Sequence, residues 1–184
     1  MNLFQFQVGS LPIRYLGAPL VTTKLSASDC KPLVEGITSK IRHWASKLLS
    51  FAGRLQLIQS VICSCQSFRN GLFILPKKVL KEVEKLMRRF LWKGPSLTTG
   101  GVKVVWEDVT LPLEEGGLGI KKLHEWNVAA MGKHIWQLCL SSHTSSWASW
   151  SRANLLKGRS LWEISIPNDS SWTWRKILRL RPVF

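Results

Sequence analysis

ILPKKVLKEVEKLMRRFLWKG, residues 74–94, is the stretch that decides the fold this sequence predicts. Its apolar residues recur every three or four positions, which is the period of an amphipathic helix. Pro76 suits the first helical position, and Gly94 followed by Pro95 suits the end of a helix. We therefore expect one helix over residues 76–93. Its core face is predicted to hold Val79, Leu80, Val83, Leu86, Met87, Phe90 and Leu91.

The other side of this helix carries a stripe of basic residues, offset only by Glu82 and Glu84. Its members are Lys78, Lys81, Lys85, Arg88 and Arg89. They extend over about three turns, roughly 16 Å, a length comparable to several phosphate spacings of a duplex. One interpretation is an ordinary solvated helix face. The other is a surface that binds phosphate backbones without reading bases, because lysine and arginine contacts to phosphates fix position only.

The whole chain is basic. Lys and Arg number 26 against 11 Asp and Glu in 184 residues, which gives a formal net charge of +15 and favours polyanionic partners. The four cysteines include no CxxC pair, so buried reduced thiols are expected rather than a zinc ribbon or a disulfide framework. No apolar run reaches the length of a membrane span. These features predict a soluble intracellular protein, nuclear or cytoplasmic, with no membrane partner.

Further helices and two small hairpins are predicted around the central helix. Residues 4–8 alternate apolar and polar side chains, and a turn at Gly9 and Ser10 leads to a second strand over residues 13–17. A strand over residues 102–106, followed by a turn at Gly116 and Gly117, predicts a second hairpin. Helical periodicity covers residues 28–48, 51–65, 123–140, 147–156 and 172–180. The predicted fold is mainly α: a helical bundle with an N-terminal β-hairpin and a short β-hairpin before the C-terminal helices.

The sequence contains no recognisable arrangement of residues for catalysis or metal binding. Nucleotidyl transfer needs carboxylates that hold two metal ions, but neither acidic pair, Glu107-Asp108 or Glu114-Glu115, lies in a strand-turn-strand context. No GxSxG, HExxH or P-loop motif is present. A zinc site could be drawn only from His124, His134, Cys139 and His143, whose spacing matches no familiar zinc motif. We expect no catalytic residue, no metal site and no cofactor.

Four segments, in their order and spacing, resemble the reverse transcriptases of plant LINE-type (non-LTR) retrotransposons, in the region just after the polymerase palm. They are LPIRYLGAPL at 11–20, AGRLQLIQSVI at 52–62, the stretch at 74–94, and EEGGLGI at 114–120. The resemblance implies four parts. These are a palm remnant at 1–24, a thumb-like helical bundle at 25–95, a connection region at 96–144, and a tryptophan-rich lead-in to a zinc-binding module at 145–184.

The resemblance also implies a function. In that family the metal-binding aspartates precede this region, so the isolated chain is expected to be a non-catalytic fragment that grips a template-primer backbone without sequence specificity. Arg54 and the basic stripe would face nucleic acid, while Tyr15, Leu16 and Gly17 would be primer-grip-like. The implied partners are an RNA or DNA duplex and a reverse transcriptase palm in trans. The alternative is a decayed retrotransposon fragment that acts at most as a helical protein-interaction segment.

Overall fold

Helices make up most of the chain. The structure, a computed structural model, describes residues 13–15, 18–21, 24–44, 49–64, 71–97, 104–140 and 145–184. The helices are α1 (Lys31–His43), α2 (Phe51–Leu57, continued by a π-helical turn at Ile58–Ile62), α3 (Lys77–Lys93), α4 (Trp106–Val109), α5 (Leu123–Cys139), α6 (Ser146–Ser151, continued by a π-helical turn at Arg152–Leu156) and α7 (Trp172–Arg179). Short 3-10 turns lie at Gly94–Ser96, Leu113–Glu115 and Arg181–Val183.

Helix α3 begins and ends within one residue of the predicted bounds. Pro76 is its N-cap, where a missing N–H costs nothing, and Gly94 is its C-cap with a φ of 68°. Six of the seven predicted core residues are buried, and Leu86 is half-buried. The apolar period therefore identified the buried face of this helix correctly.

The first hydrophobic core lies where α1 and α2 pack against α3. The Ser50 hydroxyl caps α2 by accepting a 3.2 Å hydrogen bond from the Gly53 N–H, a role that serine commonly takes just before a helix. Trp44 at the end of α1 contacts Phe90 of α3, with ring centroids 5.5 Å apart. The buried residues of the three helices are Leu33, Ile37, Ile41, Ile58, Ile62, Val79, Leu80, Val83, Met87, Phe90 and Leu91.

A second core forms between α5, α6 and α7. Helix α5 contributes to both cores: Leu123 packs in the first, and Met131 and Ile135 pack in the second. The fully buried Asn127 fastens α5 to the segment that leads into α3. Its Oδ1 accepts from the Leu75 N–H at 2.7 Å, and its Nδ2 donates to a backbone carbonyl of the same segment at 2.8 Å. The two cores are thus joined by a helix and a buried amide.

The predicted hairpin before the C-terminal helices is wrong. Residues 102 and 103 lie outside the described residues, but the next part of the predicted strand enters helix α4 at Trp106. Acidic residues in the first turn of α4 suit the positive end of a helix. The chain then returns through a loop in which the Leu118 N–H donates to the Val109 carbonyl at 3.0 Å. Gly117 is required there, since a Cβ on it would lie 2.1 Å from the Leu111 carbonyl oxygen.

The predicted N-terminal hairpin is also wrong. Its first strand, residues 4–8, lies outside the described residues. The described part of its second strand pairs instead with the segment that follows it: Ile13–Tyr15 (β1) is antiparallel to Ala18–Leu20 (β2), with Ile13 opposite Leu20. The two strands are separated by only two residues, a connection length that favours pairing of nearest neighbours. These two three-residue strands are the β-structure of the described chain, and the fold is helical.

The cysteines divide by position. Cys30 and Cys63 are buried, and burial raises the pKa of the Cys63 thiol although Lys121 opposes the shift. Cys139 is exposed at the end of α5, where a buried thiol was expected. Cys65 lies outside the described residues.

Candidate nucleic-acid interface

The basic stripe occupies one side of α3. At 100° per residue its five members fall within an arc roughly 100° wide. Lys78, Lys81 and Lys85 are exposed, whereas Arg88 and Arg89 are half-buried. Four of the five, all except Arg88, line a groove of about 450 Å³ together with Glu82 and Leu86. Regular helical spacing therefore produces a continuous positive surface.

Acidic side chains do not neutralise this stripe at contact distance. The ion pairs in the described part of the chain lie elsewhere: Lys31 with Glu35 at 3.7 Å on α1, and Lys122 with Glu125 at 3.9 Å beside α5. Within those residues, no carboxylate oxygen comes within 4.0 Å of a stripe nitrogen. The charge of the stripe remains available to an anionic ligand.

Arg88 has a second contact that the sequence did not reveal. Its Nη2 donates to the Val104 carbonyl at 2.9 Å, which fastens α3 to the segment before α4. A guanidinium carries five donor hydrogens, so one such bond leaves others for a phosphate. Arg88 thus differs from the three exposed lysines, because replacing it would also disturb the fold.

Glu84 borders the stripe on the side facing α4 and α5. Burial raises the pKa of its carboxyl above the ordinary value, and Glu107 raises it further. A hydrogen bond from the Leu123 backbone and the nearby Lys81 act in the opposite direction, but burial dominates. This acid is therefore neutralised more readily than an exposed glutamate.

Arg54 lies apart from the stripe. It is half-buried on α2 and packs at the carboxyl end of α3, where a Cβ on Gly94 would lie 3.0 Å from its Nη1. Its Nε is buried without a hydrogen-bond partner among the described residues. The distance from Gly94 back to Lys78 is about 24 Å along the helix axis. The structure does not bring Arg54 together with the amino half of the stripe.

The primer-grip-like residues are only partly described. Tyr15 ends β1 and its backbone is paired opposite Ala18. The Tyr15 side chain lies outside what the structure describes, as do Leu16 and Gly17. Their assignment stays a prediction.

A further group of basic side chains was missed by sequence reasoning. At the amino end of α3, Lys24, Lys77, His124, Lys176 and Arg179 line a pocket of about 510 Å³. They come from four separate parts of the sequence, so no local sequence motif predicts that they lie together. The only available signal was the pair Lys176 and Arg179, three residues apart on one helix face.

The candidate catalytic and zinc residues are scattered. Glu107 and Asp108 lie on α4 and Glu114 and Glu115 on a 3-10 turn, and all four are exposed. The His134 Nε2 lies 2.6 Å from the Gly71 carbonyl oxygen, while His143 is outside the described residues. Across the described ranges, no group of three His, Cys, Asp or Glu side chains converges as a metal site would require. Nor does any described helix combine the length and apolar character of a membrane span.

The chain is similar to a putative ribonuclease H protein of Arabidopsis thaliana. The two are 31% identical over 162 residues, which make up 86% of this chain and 26% of that protein. The chain thus spans about a quarter of the relative's length. No protein-family model matches the chain, and no solved structure matches it significantly. The similarity connects almost the whole chain to part of a longer plant protein.

Proposed function

We propose that this chain is a nucleic-acid-binding segment of a plant retrotransposon-derived protein, and that it binds the phosphate backbone of a duplex along the α3 stripe. The observation that carries the proposal is the single arc of five cations, none of which has a carboxylate within 4.0 Å in the described structure. The relative's name, a putative ribonuclease H protein, supports a role connected with RNA.

The position within the parent protein is also part of the proposal. Four segments resemble LINE-type reverse transcriptases just after the palm, and three of them supply α2, α3 and the Gly117 loop. We assign the α1–α3 bundle to a thumb that grips the template-primer, and the α4–α5 region to the connection that follows. The buried face of α3 would hold the bundle rigid while its opposite face contacts the duplex.

Binding of this kind follows simple electrostatics. Lysine and arginine side chains neutralise phosphates and release condensed counterions, so the affinity falls steeply as salt rises. The contacts fix the position of the duplex without selecting bases. We therefore expect weak binding that is independent of sequence and sensitive to salt.

The test is the salt dependence of binding to a fluorescein-labelled RNA–DNA hybrid, measured by anisotropy between 50 and 200 mM salt. The informative variant replaces Lys78, Lys81 and Lys85 together with Ala, and leaves Arg88 to hold the segment before α4. If each lysine contacts one phosphate, the slope of log affinity against log salt should become shallower by about 2 to 3.

The matched control replaces Lys31, Lys122 and Lys133 with Ala. These exposed lysines lie on α1, immediately before α5 and on α5, and two of them are already paired with glutamates. The control removes the same charge, so its slope should change by less than about 1 if contacts rather than net charge matter. Equal slopes in the two triple variants would contradict the stripe as the binding surface.

A rival function, a helical protein-interaction segment, has one observation in its favour. Trp136, Trp150 and Trp162 are 66%, 56% and 51% exposed in the second core region. Exposed tryptophans are common at protein interfaces. The rival predicts that the chain self-associates, that replacing these residues with Ser abolishes the association, and that polynucleotides bind neither form. Sedimentation velocity with and without the hybrid separates the two functions.

Catalysis is not part of the proposal. We propose that the isolated chain does not extend a primer with Mg²⁺ and nucleotides, because its acidic pairs are exposed and lie on separate short helical turns. Primer extension that is lost in the double variant Glu107→Gln/Asp108→Asn would contradict this. The same assay with a separately supplied palm tests action in trans.

A further inference from the structure

Separate parts of the chain meet around a pocket at the amino end of α3. The wall comes from the segment before α1, residues 74–77, the first turns of α5, and α7 with the residues after it. The pocket volume of about 510 Å³ lies within the range of small-ligand sites. This pocket is not the groove along the stripe, which begins one residue further along α3, at Lys78.

The lining of the pocket combines an apolar floor with a cationic rim. The floor includes Leu25 and Leu75, which are buried, and the half-buried ring of Trp172. The cations of the rim are Lys24, Lys77, Lys176 and Arg179, and the imidazole of His124 lies among them. Among the residues that the structure describes, no Asp or Glu lines the pocket. Its chemistry therefore suits a ligand with a flat apolar part and an anionic part.

Lys176 is the central cation of this rim. Burial lowers the pKa of its ammonium, and the nearby charges of Arg179 and Lys24 lower it further. Its Nζ lies 5.6 Å from the centroid of the Trp172 ring. Like charges converge here without a described carboxylate to offset them, so an anion between them would remove an unfavourable interaction.

The amino end of α3 adds to the positive potential. Pro76 caps it without a side-chain hydrogen bond, and the first turn contains no acidic residue. Both Pro76 and Lys77 line the pocket. The positive end of the helix dipole of a 17-residue helix is thus directed at the same space as the cationic side chains.

We propose that this pocket holds one unpaired nucleotide at the end of a strand whose paired part lies along the α3 stripe. The base packs against the apolar floor and Trp172, and the phosphate is bound by Lys176, Arg179 and Lys24. The proposal rests on the proposed function, because Lys77 in the pocket is adjacent to Lys78 in the stripe. A backbone that follows the stripe towards the amino end of α3 reaches the pocket directly.

The experiment compares three hybrids with the same paired region: one blunt, one with a two-nucleotide overhang, and one with a two-residue abasic overhang. Overhangs of both polarities are used. With the unmodified chain, one polarity of the base-containing overhang should bind about tenfold more tightly than the blunt hybrid, within the range expected from one stacked base. The abasic overhang should give only part of this gain.

Two variants test the pocket separately from the stripe. Trp172→Leu keeps an apolar side chain, and the double variant Lys176→Gln/Arg179→Gln keeps polar side chains of similar length. Each should reduce the gain from the overhang to less than about twofold while changing blunt-hybrid affinity by less than about threefold. Lys133→Gln, on the opposite side of α5 from His124, is the control and should retain the full gain.

The possible failures are distinguishable. A gain that persists in both pocket variants, or no gain in the unmodified chain, overturns the pocket assignment while leaving duplex binding intact. Absence of blunt-hybrid binding overturns the proposed function. Overhang binding without blunt-hybrid binding, lost in the double variant, would support the pocket and contradict the stripe. The double variant leaves the apolar floor unchanged, so the test stands even if Trp172→Leu fails to fold.

Discussion

On α3 the three stripe lysines, Lys78, Lys81 and Lys85, are exposed and have no carboxylate partner in the described structure, whereas in the second core region two arginines donate hydrogen bonds to backbone carbonyls. Arg152 lies beside the carboxyl end of α5. Its Nη2 donates to the carbonyls of Gln137, at 2.8 Å, and Leu140, and its Nε donates to that of Leu138 at 3.2 Å. These carbonyls lack partners within their own helix, so the guanidinium acts as a cap.

Arg181 plays the same part at the other end of this region. Its Nη1 donates to the carbonyls of Leu161 at 2.8 Å, Trp162 at 3.0 Å and Ile164 at 2.8 Å. Its Nε donates to the Leu178 carbonyl at 2.8 Å. One side chain thereby provides hydrogen-bond donors for backbone carbonyls in an irregular segment and at the end of α7.

The contrast shows that net charge overstates the charge a ligand can use. The formal charge of +15 counts Arg152 and Arg181 in the same way as Lys78, Lys81 and Lys85. Only the lysines have their donors free of backbone acceptors in the described structure. A guanidinium with several planar donors suits backbone capping, and a compact ammonium on a long stem suits a solvated face.

The largest effect is expected beneath the stripe, at Phe90. This side chain is 0% exposed and contacts Trp44. Phe90→Ala should lower the free energy of unfolding by about 3–5 kcal/mol, because it removes a buried ring and leaves a cavity. Urea denaturation followed by circular dichroism measures the change. An unchanged denaturation midpoint would show that Phe90 is not part of the core that holds α3, and with it the basic stripe, in place.

The next effect tests the arginine contrast itself. Arg181→Ala should cost about 2–3 kcal/mol, because charge-assisted hydrogen bonds are lost and partly buried carbonyls lose a partner. Lys85→Ala, at an exposed stripe position, should change stability by no more than about 0.5 kcal/mol. Thermal denaturation of the two variants side by side gives the comparison. Similar losses in both would remove the distinction between capping and stripe cations.

Arg181→Lys sharpens the same test. Lysine keeps the charge but cannot present several donors in one plane, so it should recover only a small part of the stability lost in Arg181→Ala. Full recovery by Lys would mean that charge alone, rather than the fork of hydrogen bonds, stabilises the segment.

The sequence predicted features that repeat along one helix and failed for features that depend on distant parts of the chain. The bounds and buried face of α3 were predictable because a 17-residue helix repeats its pattern over several turns. The strand expected over residues 102–106 was wrong, because a few alternating residues do not outweigh local helix signals such as Glu107 and Asp108 in a first turn. The stripe could be read from spacing alone. The pocket around Lys176 could not, since its walls come from distant parts of the chain.

The smallest effect concerns Glu84, the acid at the edge of the stripe. Its pKa is raised by burial, so the folded state binds a proton more tightly than the unfolded state. The stability that this carboxyl contributes is therefore fully present below its ordinary pKa of 4.5, and is lost as the pH rises through the higher folded value. Glu84→Gln should raise the free energy of unfolding at pH 7 by at most about 0.5 kcal/mol, while retaining an acceptor for the Leu123 N–H.

Measurements of the unfolding free energy from pH 4 to 7 check this prediction. Relative to the unmodified chain, Glu84→Gln should gain stability steadily as the pH rises through this interval. Glu84→Gln should also bind the blunt hybrid slightly more tightly at pH 7, since it removes a negative charge beside the stripe. A stability difference between Glu84→Gln and the unmodified chain that stays constant from pH 4 to 7 would mean that the Glu84 carboxyl is solvated in the folded state. In that case the edge of α3 that carries Glu84 would be open to solvent, and the packed surface of the helix would begin closer to the core than the structure places it.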